Sequence, residues 1–240
     1  IEHPTPCIRK GSLKMLRRNL VAGAITALMV SPAFAFLDKV GLGGGNSGKA
    51  VDADSFNKSR TDLEKKYILA AAAVLASQID LAQALNVKAD IAQAEELNKV
   101  LKGGNLSSDT VEKVSSTSKT LNEQLKKGME ETDKLSAKQK KLVGSGLVKY
   151  AAGVAMTAAL GIEAKHVAES ATDVLKSANP ISKVKLASEL GACLAIGKEL
   201  PSHAKNLVTG GNQMVQIATK KGVSTKGAKK KLAEAANFDF

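Results

Sequence analysis

The sequence predicts an all-α protein, an antiparallel multi-helix bundle whose helix interfaces are rich in Ala and Gly. Three observations lead to this fold class. Apolar residues recur at spacings of three and four over long segments, as they do on one face of a helix. Val, Ile, Tyr and Phe never alternate with polar residues over the length of a strand. Gly and Pro fall between the periodic segments, where they mark turns.

The first predicted helix runs from about Asp54 to Asn86, with Ser55 as its N-cap. Its apolar residues form two offset stripes, so we expect burial on more than one side and a central position. The stripes are Leu63, Tyr67, Ala70, Val74, Leu81, Leu85 and Ile68, Ala72, Leu75, Ile79, Ala82. A shorter helix, about Lys88 to Leu101, is expected to end at Gly103 and Gly104.

A polar helix is expected to begin near Ser108. Its apolar residues form a narrow seam at multiples of seven, which suits a helix on the bundle surface or a short coiled coil. The seam consists of Val114, Leu121, Leu135 and Leu142, with Gly128 in the gap. Ser136 and Gln139 have the spacing of a capping box, so the helix is expected to break and restart there.

The second half of the chain is predicted to hold four more helical segments. One continues from Leu142 to near Ala178 and is closed by Asn179 and Pro180. The others run from about Ile181 to Leu200, from about Asn212 to Lys221, and through "TKGAKKKLAEAAN" at the end. Pro201 is expected to kink or end the first of these, and Ser224 to cap the last.

Two sets of small residues repeat every four positions and predict close contact between two helices. The sets are Gly153, Thr157, Gly161 and Ala187, Gly191, Ala195. Small residues at this spacing allow helix backbones to approach, so we expect these two segments to pack on each other.

The segment from Met15 to Ala35 has the three-part layout of a secretory signal peptide. Arg17 and Arg18 precede an uncharged run from Leu20 to Val30, and "AFA" follows the helix-breaking Ser31–Pro32. We predict a signal peptide over residues 15–35, cleavage after Ala35, and a bacterial periplasmic or secreted protein. The alternative, a membrane anchor, fits less well because spanning needs about 20 apolar residues. Residues 1–14 are interpreted as sequence upstream of the start, or as a cloning remnant.

The positive net charge and the absence of Trp indicate which classes of partner to expect. The net charge is +12 over the whole chain, and it is +8 when residues 1–35 are left out, with 30 basic and 22 acidic residues. Such a protein is expected to meet anionic partners such as lipid head groups, envelope sugars or released nucleic acid, unless the charge serves only solubility. Trp is absent, which argues against stacking platforms and sequence-specific nucleic-acid binding. A protein partner is the other class that we keep open.

The segment "GGGNSGKA", Gly43 to Ala50, nearly fits a phosphate-binding loop. Ala50 replaces the hydroxyl that would hold magnesium, and no strand precedes the motif. We interpret residues 36–53 as a flexible Gly/Ser-rich linker and residues 54–240 as the helical bundle domain. No nucleotide cofactor is predicted.

Candidates for metal binding and catalysis are few. Glu163, His166 and Glu169 contain an E-x-x-H spacing, but His203 is the only other histidine after the leader and lacks a matching carboxylate. Cys193 lies in an apolar run, where a thiolate is disfavoured. We therefore predict no metal site and do not expect an enzyme.

Residues 142–162 contain one charge, Lys149, and must be weighed as a membrane span. Their seven Leu, Ile and Val residues favour insertion by about 2 to 4 kcal/mol, and a central Lys opposes it by about 2.5 to 3.5 kcal/mol. Spontaneous spanning is not expected. A membrane-active protein that inserts this segment after a conformational change, as pore-forming helical proteins do, is the alternative function.

The C-terminal region is rich in lysine, and these lysines are the candidate binding residues. They are Lys220, Lys221, Lys226, Lys229, Lys230 and Lys231. Lysine binds phosphate as a point charge and does not read sequence. We interpret the region as a docking patch for an anionic surface, with a merely solvated terminal helix as the alternative. The expected function is that of an exported envelope protein that acts by binding or scaffolding.

Overall fold

The computed structural model describes residues 53–87 and 89–238, and in these residues it contains helices and no strand. The helices are α1 (Ala53–Leu85), α2 (Ile91–Lys102), α3 (Ser108–Glu131), α4 (Ala137–Ala159), α5 (Gly161–Ser177), α6 (Pro180–Lys220) and α7 (Lys226–Ala236). The predicted all-α bundle is confirmed. The predicted leader, the phosphate-loop-like segment and all but the last residue of the predicted linker lie outside the described residues.

Helix α1 is central, as its two apolar stripes predicted. It contacts α2, α3, α4, α5 and α6. Leu63, Val74 and Leu81 are fully buried, and so are residues of the second stripe such as Leu75. The helix already begins at Ala53, so Ser55 lies in its first turn and is not the N-cap. That predicted cap is wrong because a helix start depends on where the chain enters the bundle as well as on cap chemistry.

Helix α3 packs against both α6 and α1, and it is less superficial than its polar sequence suggested. The hydroxyl of Ser107 accepts a hydrogen bond from the Thr110 N–H at 3.1 Å and caps the helix. Its buried face includes Val111, Leu125 and Met129 besides the predicted seam. The seam itself stops short, because Leu142 is about half exposed. The prediction of a narrow seam is therefore wrong in two respects: the buried face of α3 is wider than the seam, and Leu142 does not belong to it.

The break between α3 and α4 is the local prediction that the structure reproduces most closely. Ser136 is the N-cap of α4, and Gln139 completes the capping box. The Gln139 N–H donates to Ser136 Oγ at 3.2 Å, and the Ser136 N–H donates to Gln139 Oε1 at 3.1 Å. A capping box involves only four consecutive residues, which is why sequence alone sufficed.

The predicted helix from Leu142 to Ala178 is divided at Leu160 into α4 and α5. The Leu160 N–H donates to Thr157 O at 3.2 Å, a tighter turn than that of an α-helix. The Thr157 hydroxyl donates to Gly153 O at 2.9 Å, and this type of side-chain bond often bends helices.

Helix α6 is continuous over 41 residues, with Pro201 in its interior. The expected end near Leu200 and the separate helix from Asn212 are therefore wrong. An interior Pro costs about 3 kcal/mol or more. Leu200, Ala204 and Leu207 are buried around it, and such packing supplies most of the stability of helices in proteins.

The start of α7 also differs from the prediction. Its N-cap residue is Thr225 and not Ser224, and no side chain caps the helix. The Thr225 hydroxyl lies 2.8 Å from that of Thr219 in α6, so it is already engaged. This contact ties the α6–α7 connection to the end of α6.

The apolar core consists of two clusters, and polar side chains lie between them along three helices. In each helix a residue of the first cluster, a buried polar residue and a residue of the second cluster follow in order. These are Leu75, Gln78 and Leu81 in α1, Leu121, Asn122 and Leu125 in α3, and Leu200, His203 and Leu207 in α6.

A hydrogen-bond chain runs through this polar layer and joins four helices. Gln78 Nε2 donates to Ser118 O at 2.7 Å and to Asn122 Oδ1 at 2.8 Å. Asn122 Nδ2 donates to Tyr150 Oη at 2.8 Å, and Tyr150 Oη donates to Leu207 O at 2.9 Å. A buried polar group without its hydrogen-bond partner is unfavourable, so these hydrogen bonds fix the register of α1, α3, α4 and α6.

Candidate anion-binding surface

The six predicted lysines lie on the last turn of α6, on the α6–α7 connection and on α7. Helix α7 packs against α4 and α6 through Ala228, Leu232 and Ala235, which are buried. Lys226, Lys229 and Lys230 point away from this contact and are exposed. The short helix is thus a platform with an apolar side on the bundle and a basic side in solvent.

The fold adds three further lysines from the start of α4. A Cβ built on Gly222 of the α6–α7 connection would lie 3.2 Å from Lys140 Nζ, and one built on Gly144 would lie 3.1 Å from Ser224 O. Lys138 and Lys141 are exposed in the same turns of α4. We call the combined set the nine-lysine surface: Lys138, Lys140, Lys141, Lys220, Lys221, Lys226, Lys229, Lys230 and Lys231.

Sequence reasoning missed the contribution of α4. The segment "AKQKKL", residues 137–142, has three lysines in four positions and was a visible signal. It was overlooked because it stands far from the C-terminal lysines in the chain, and nothing local shows that the two segments meet.

Little of this charge is compensated. Within the described residues, the one ion pair that involves the nine-lysine surface joins Lys230 to Glu234 at 4.0 Å, and it is exposed. The Lys221 ammonium donates instead to the backbone oxygen of Thr132 in the α3–α4 connection. Exposed pairs contribute little, so the surface keeps its positive potential.

Two helix N-termini reinforce that potential. Lys138 and Lys140 lie in the first turns of α4, and Lys226 and Lys229 in those of α7; neither helix has an acidic residue in its first turn. The N-terminal end of a helix dipole is positive and favours anions, so lysine there is unfavourable by about 0.3 to 1 kcal/mol. The arrangement can attract phosphate or carboxylate groups, and it lacks the Arg and aromatic side chains that read shape or sequence.

Two of the small residues predicted to pack on each other, Gly153 and Gly191, approach other partners. A Cβ on Gly153 would lie 2.9 Å from Val74 Cγ2 and 3.0 Å from Val74 N, so Gly153 approaches α1. A Cβ on Gly191 would lie 3.8 Å from Ser108 Oγ, near the start of α3. Gly153 and Gly191 therefore do not face each other as expected, although α4 and α5, which carry Gly153 and Gly161, both contact α6. Of the other members, Thr157 and Ala195 are buried, Gly161 is half-buried and Ala187 is exposed.

The close approach of α6 occurs at Gly197 instead. A Cβ there would lie 2.3 Å from Ala168 Cβ and 3.1 Å from Ala164 O, both in α5. The helix that begins at Gly161 thus packs on α6 as expected, but through Gly197 and not through Gly191, because helix rotation in the bundle decides which face meets which neighbour.

The sequence candidates for metal binding are scattered. His166 is exposed with Nδ1 3.7 Å from Glu169 Oε2, whereas Glu163 pairs with Lys66 of α1 at 2.8 Å. No group of three or more His, Cys, Asp or Glu side chains in the described residues is arranged to hold a metal ion.

Cys193 and His203 are both core residues. Burial raises the pKa of the Cys193 thiol to about 12, and its S–H donates to Leu190 O at 3.1 Å. Burial lowers the pKa of His203 to about 4, and its Nε2 has no hydrogen-bond partner within the described residues. The Cys193 thiol therefore lacks its nucleophilic thiolate form near pH 7, and His203 is a neutral imidazole enclosed in the core.

Comparison of the chain with protein-family models, with characterised proteins and with solved structures gives no significant match.

Proposed function

We propose that this is an exported envelope protein that acts by binding or scaffolding, and that the nine-lysine surface holds it on an anionic surface. The observation that supports this is the convergence of two lysine-rich segments at two helix N-termini, with one exposed ion pair, Lys230–Glu234, among the described residues. The partner chemistry is repeated phosphate or carboxylate groups, whether on lipid head groups or on a polymer. Export rests on the predicted leader.

The expected affinity is modest and sensitive to salt. A lysine near an anionic membrane surface contributes about 1 kcal/mol. If about six of the nine engage together, the total of about 6 kcal/mol corresponds to a Kd of tens of micromolar. Screening acts over about 8 to 10 Å at physiological salt, so exposed lysines lose most of this attraction as salt rises.

The test compares three variants of equal charge change. Lys229, Lys230 and Lys231 are changed to Gln in one, and Lys138, Lys140 and Lys141 in the second. The matched control changes three exposed lysines of α2 and α3: Lys99, Lys102 and Lys119. Binding to anionic vesicles and to heparin, each measured over a salt series, separates a lipid from a polymer partner.

We expect both variants of the nine-lysine surface to bind about tenfold or more weakly, with a shallower salt dependence, and the control to bind nearly like the parent. An equal loss in the control would assign binding to net charge alone and overturn the proposal.

A second candidate function is supported by two apolar segments of the described residues, one in α1 and one formed by α4 and α5 together. Asp54–Leu85 and Ala137–Ser177 are long and apolar enough to cross a membrane, although half or more of the most apolar stretch in each is buried, as in core helices of soluble proteins. They pack on each other, and Lys149 pairs with Asp80 of α1 at 2.8 Å. The charge that opposes insertion of residues 142–162 therefore has a partner on the other helix.

In a membrane-active protein the two helices would enter the bilayer together, with the Asp80–Lys149 pair preserved. Such insertion must also break the buried hydrogen bonds that join Gln78, Asn122 and Tyr150. Because this opposes insertion, membrane activity is the second candidate and surface binding the first. Vesicle leakage that Asp80→Asn reduces, in protein whose melting temperature is unchanged, would favour it over surface binding.

A further inference from the structure

The corner between α5 and α6 exposes two large apolar side chains almost completely. Ile181 is 91% exposed and Val184 is 77% exposed, more than any other large hydrophobic residue in the described part of the chain. They are three residues apart and therefore lie side by side on one helical face. The opposite face, with Leu186 and Leu190, is buried in the core.

Hydrogen bonds order the backbone of the corner that carries these side chains. Pro180 occupies the first helical position, and Asn179 Oδ1 accepts a hydrogen bond from the Ser182 N–H at 2.9 Å. The Ala178 N–H donates to Val174 O at 3.2 Å, and Ala178 is buried. Because the backbone is already ordered, inserting Ile181 and Val184 into a partner does not require a loop to fold.

Lysines predominate at the corner, and one acidic residue flanks it on each side, Asp173 and Glu189. From Val174 to Ser188 the chain has three lysines, Lys176, Lys183 and Lys185, and no acidic residue. All three are exposed, although Lys176 also contacts Asp173 at 3.4 Å and Lys185 contacts Glu189 at 3.8 Å. An apolar pair among lysines matches a bilayer with anionic head groups, where apolar side chains enter the acyl boundary and lysines meet phosphates.

We propose that the corner from Val174 to Ser188 is a membrane-docking site that inserts Ile181 and Val184 into an anionic lipid bilayer. This site is separate from the nine-lysine surface, because the two occupy opposite ends of α6. With 41 residues and a rise of about 1.5 Å per residue, α6 is about 60 Å long. The two ends can therefore contact an anionic membrane at two separate places, so that the loss of either contact weakens binding.

The first experiment measures binding to vesicles with anionic and with neutral lipids. The double variant Ile181→Ser, Val184→Ser is compared with the matched control Leu69→Ser, Ile162→Ser, whose side chains are 58% and 60% exposed on α1 and α5. Burying one side chain of this size changes a partition coefficient by about tenfold or more. We expect the corner variant to bind anionic vesicles at least tenfold more weakly, with an unchanged melting temperature, and the control to bind like the parent.

The second experiment locates the contact. The chain has no Trp, so Ile181→Trp supplies a single reporter, and Leu69→Trp is its control. We expect the emission of Ile181→Trp alone to shift to the blue with anionic vesicles and to be quenched by brominated lipids. An unshifted spectrum together with full binding of the double serine variant would overturn the proposal. A blue shift that grows with protein concentration without vesicles would instead assign the corner to self-association and overturn it as well.

The two proposals fail separately. Changing Lys229, Lys230 and Lys231 to Gln tests the nine-lysine surface and should leave the emission shift of Ile181→Trp in place. Loss of the shift in that variant would show that the corner has no contact of its own and would refute an independent site.

Discussion

Two glycines of α6, six positions apart, should respond to the same substitution in opposite directions. A Cβ on Gly197 would lie 2.3 Å from Ala168 Cβ and 3.1 Å from Ala164 O, whereas carbon atoms prefer about 3.5 to 4.0 Å. Gly197→Ala therefore forces α5 and α6 apart by more than about 1 Å. A Cβ on Gly191 meets only Ser108, at 3.8 and 3.9 Å, which is ordinary contact.

The magnitude follows from two terms. Replacing Gly by Ala inside a helix gains about 1 kcal/mol at both positions, so this term cancels between the variants. Overpacking costs typically about 1 to 3 kcal/mol and applies to Gly197 alone. We expect Gly191→Ala to raise the free energy of unfolding by up to about 1 kcal/mol relative to the parent. The free energy of unfolding of Gly191→Ala should be about 1 to 3 kcal/mol higher than that of Gly197→Ala.

Urea unfolding followed by circular dichroism measures this difference, and unchanged m-values show that both variants unfold like the parent. In a domain of this size 1 kcal/mol corresponds to about 2 to 4 °C in melting temperature. Equal stabilities of the two variants would refute the reasoning, because the helix-forming gain is common to both and only the contact with α5 distinguishes them.

Three further predictions test the leader, the polar layer and the α1–α4 contact. N-terminal sequencing of exported protein should give Phe36 as the first residue, and retention of residues 20–30 would refute the signal peptide. His203 has a pKa of about 4 in the fold against 6.5 when unfolded, so the unfolded chain alone takes up a proton between these values. Stability should be complete above pH 6.5 and fall by about 3 kcal/mol down to pH 4, and His203→Gln should remove this slope in urea midpoints. Gly153→Leu should lower the melting temperature by several degrees because Val74 N lies 3.0 Å from the added Cβ; an unchanged melting temperature with increased vesicle leakage would favour membrane insertion.

Local features of the fold were predictable from the sequence because they depend on neighbouring residues. Apolar periodicity identified α1 as a central helix, Ser136 and Gln139 identified the start of α4, and Gly103 was correctly placed at the end of α2. Predictions from single residues failed where packing opposed them. Pro201 stays inside α6 because buried neighbours on both sides offset the missing hydrogen bond.

The sequence by itself determined the helical class, the positive charge and the C-terminal lysines of the candidate surface. Tertiary structure alone brought Lys138, Lys140 and Lys141 to those lysines, and it turned Ile181 and Val184 outward. In the sequence these two apolar residues have the spacing of a core stripe. The rotation of each helix about its axis is set by the packing of all its neighbours together, so only the assembled bundle decides which apolar face is covered and which stays in solvent.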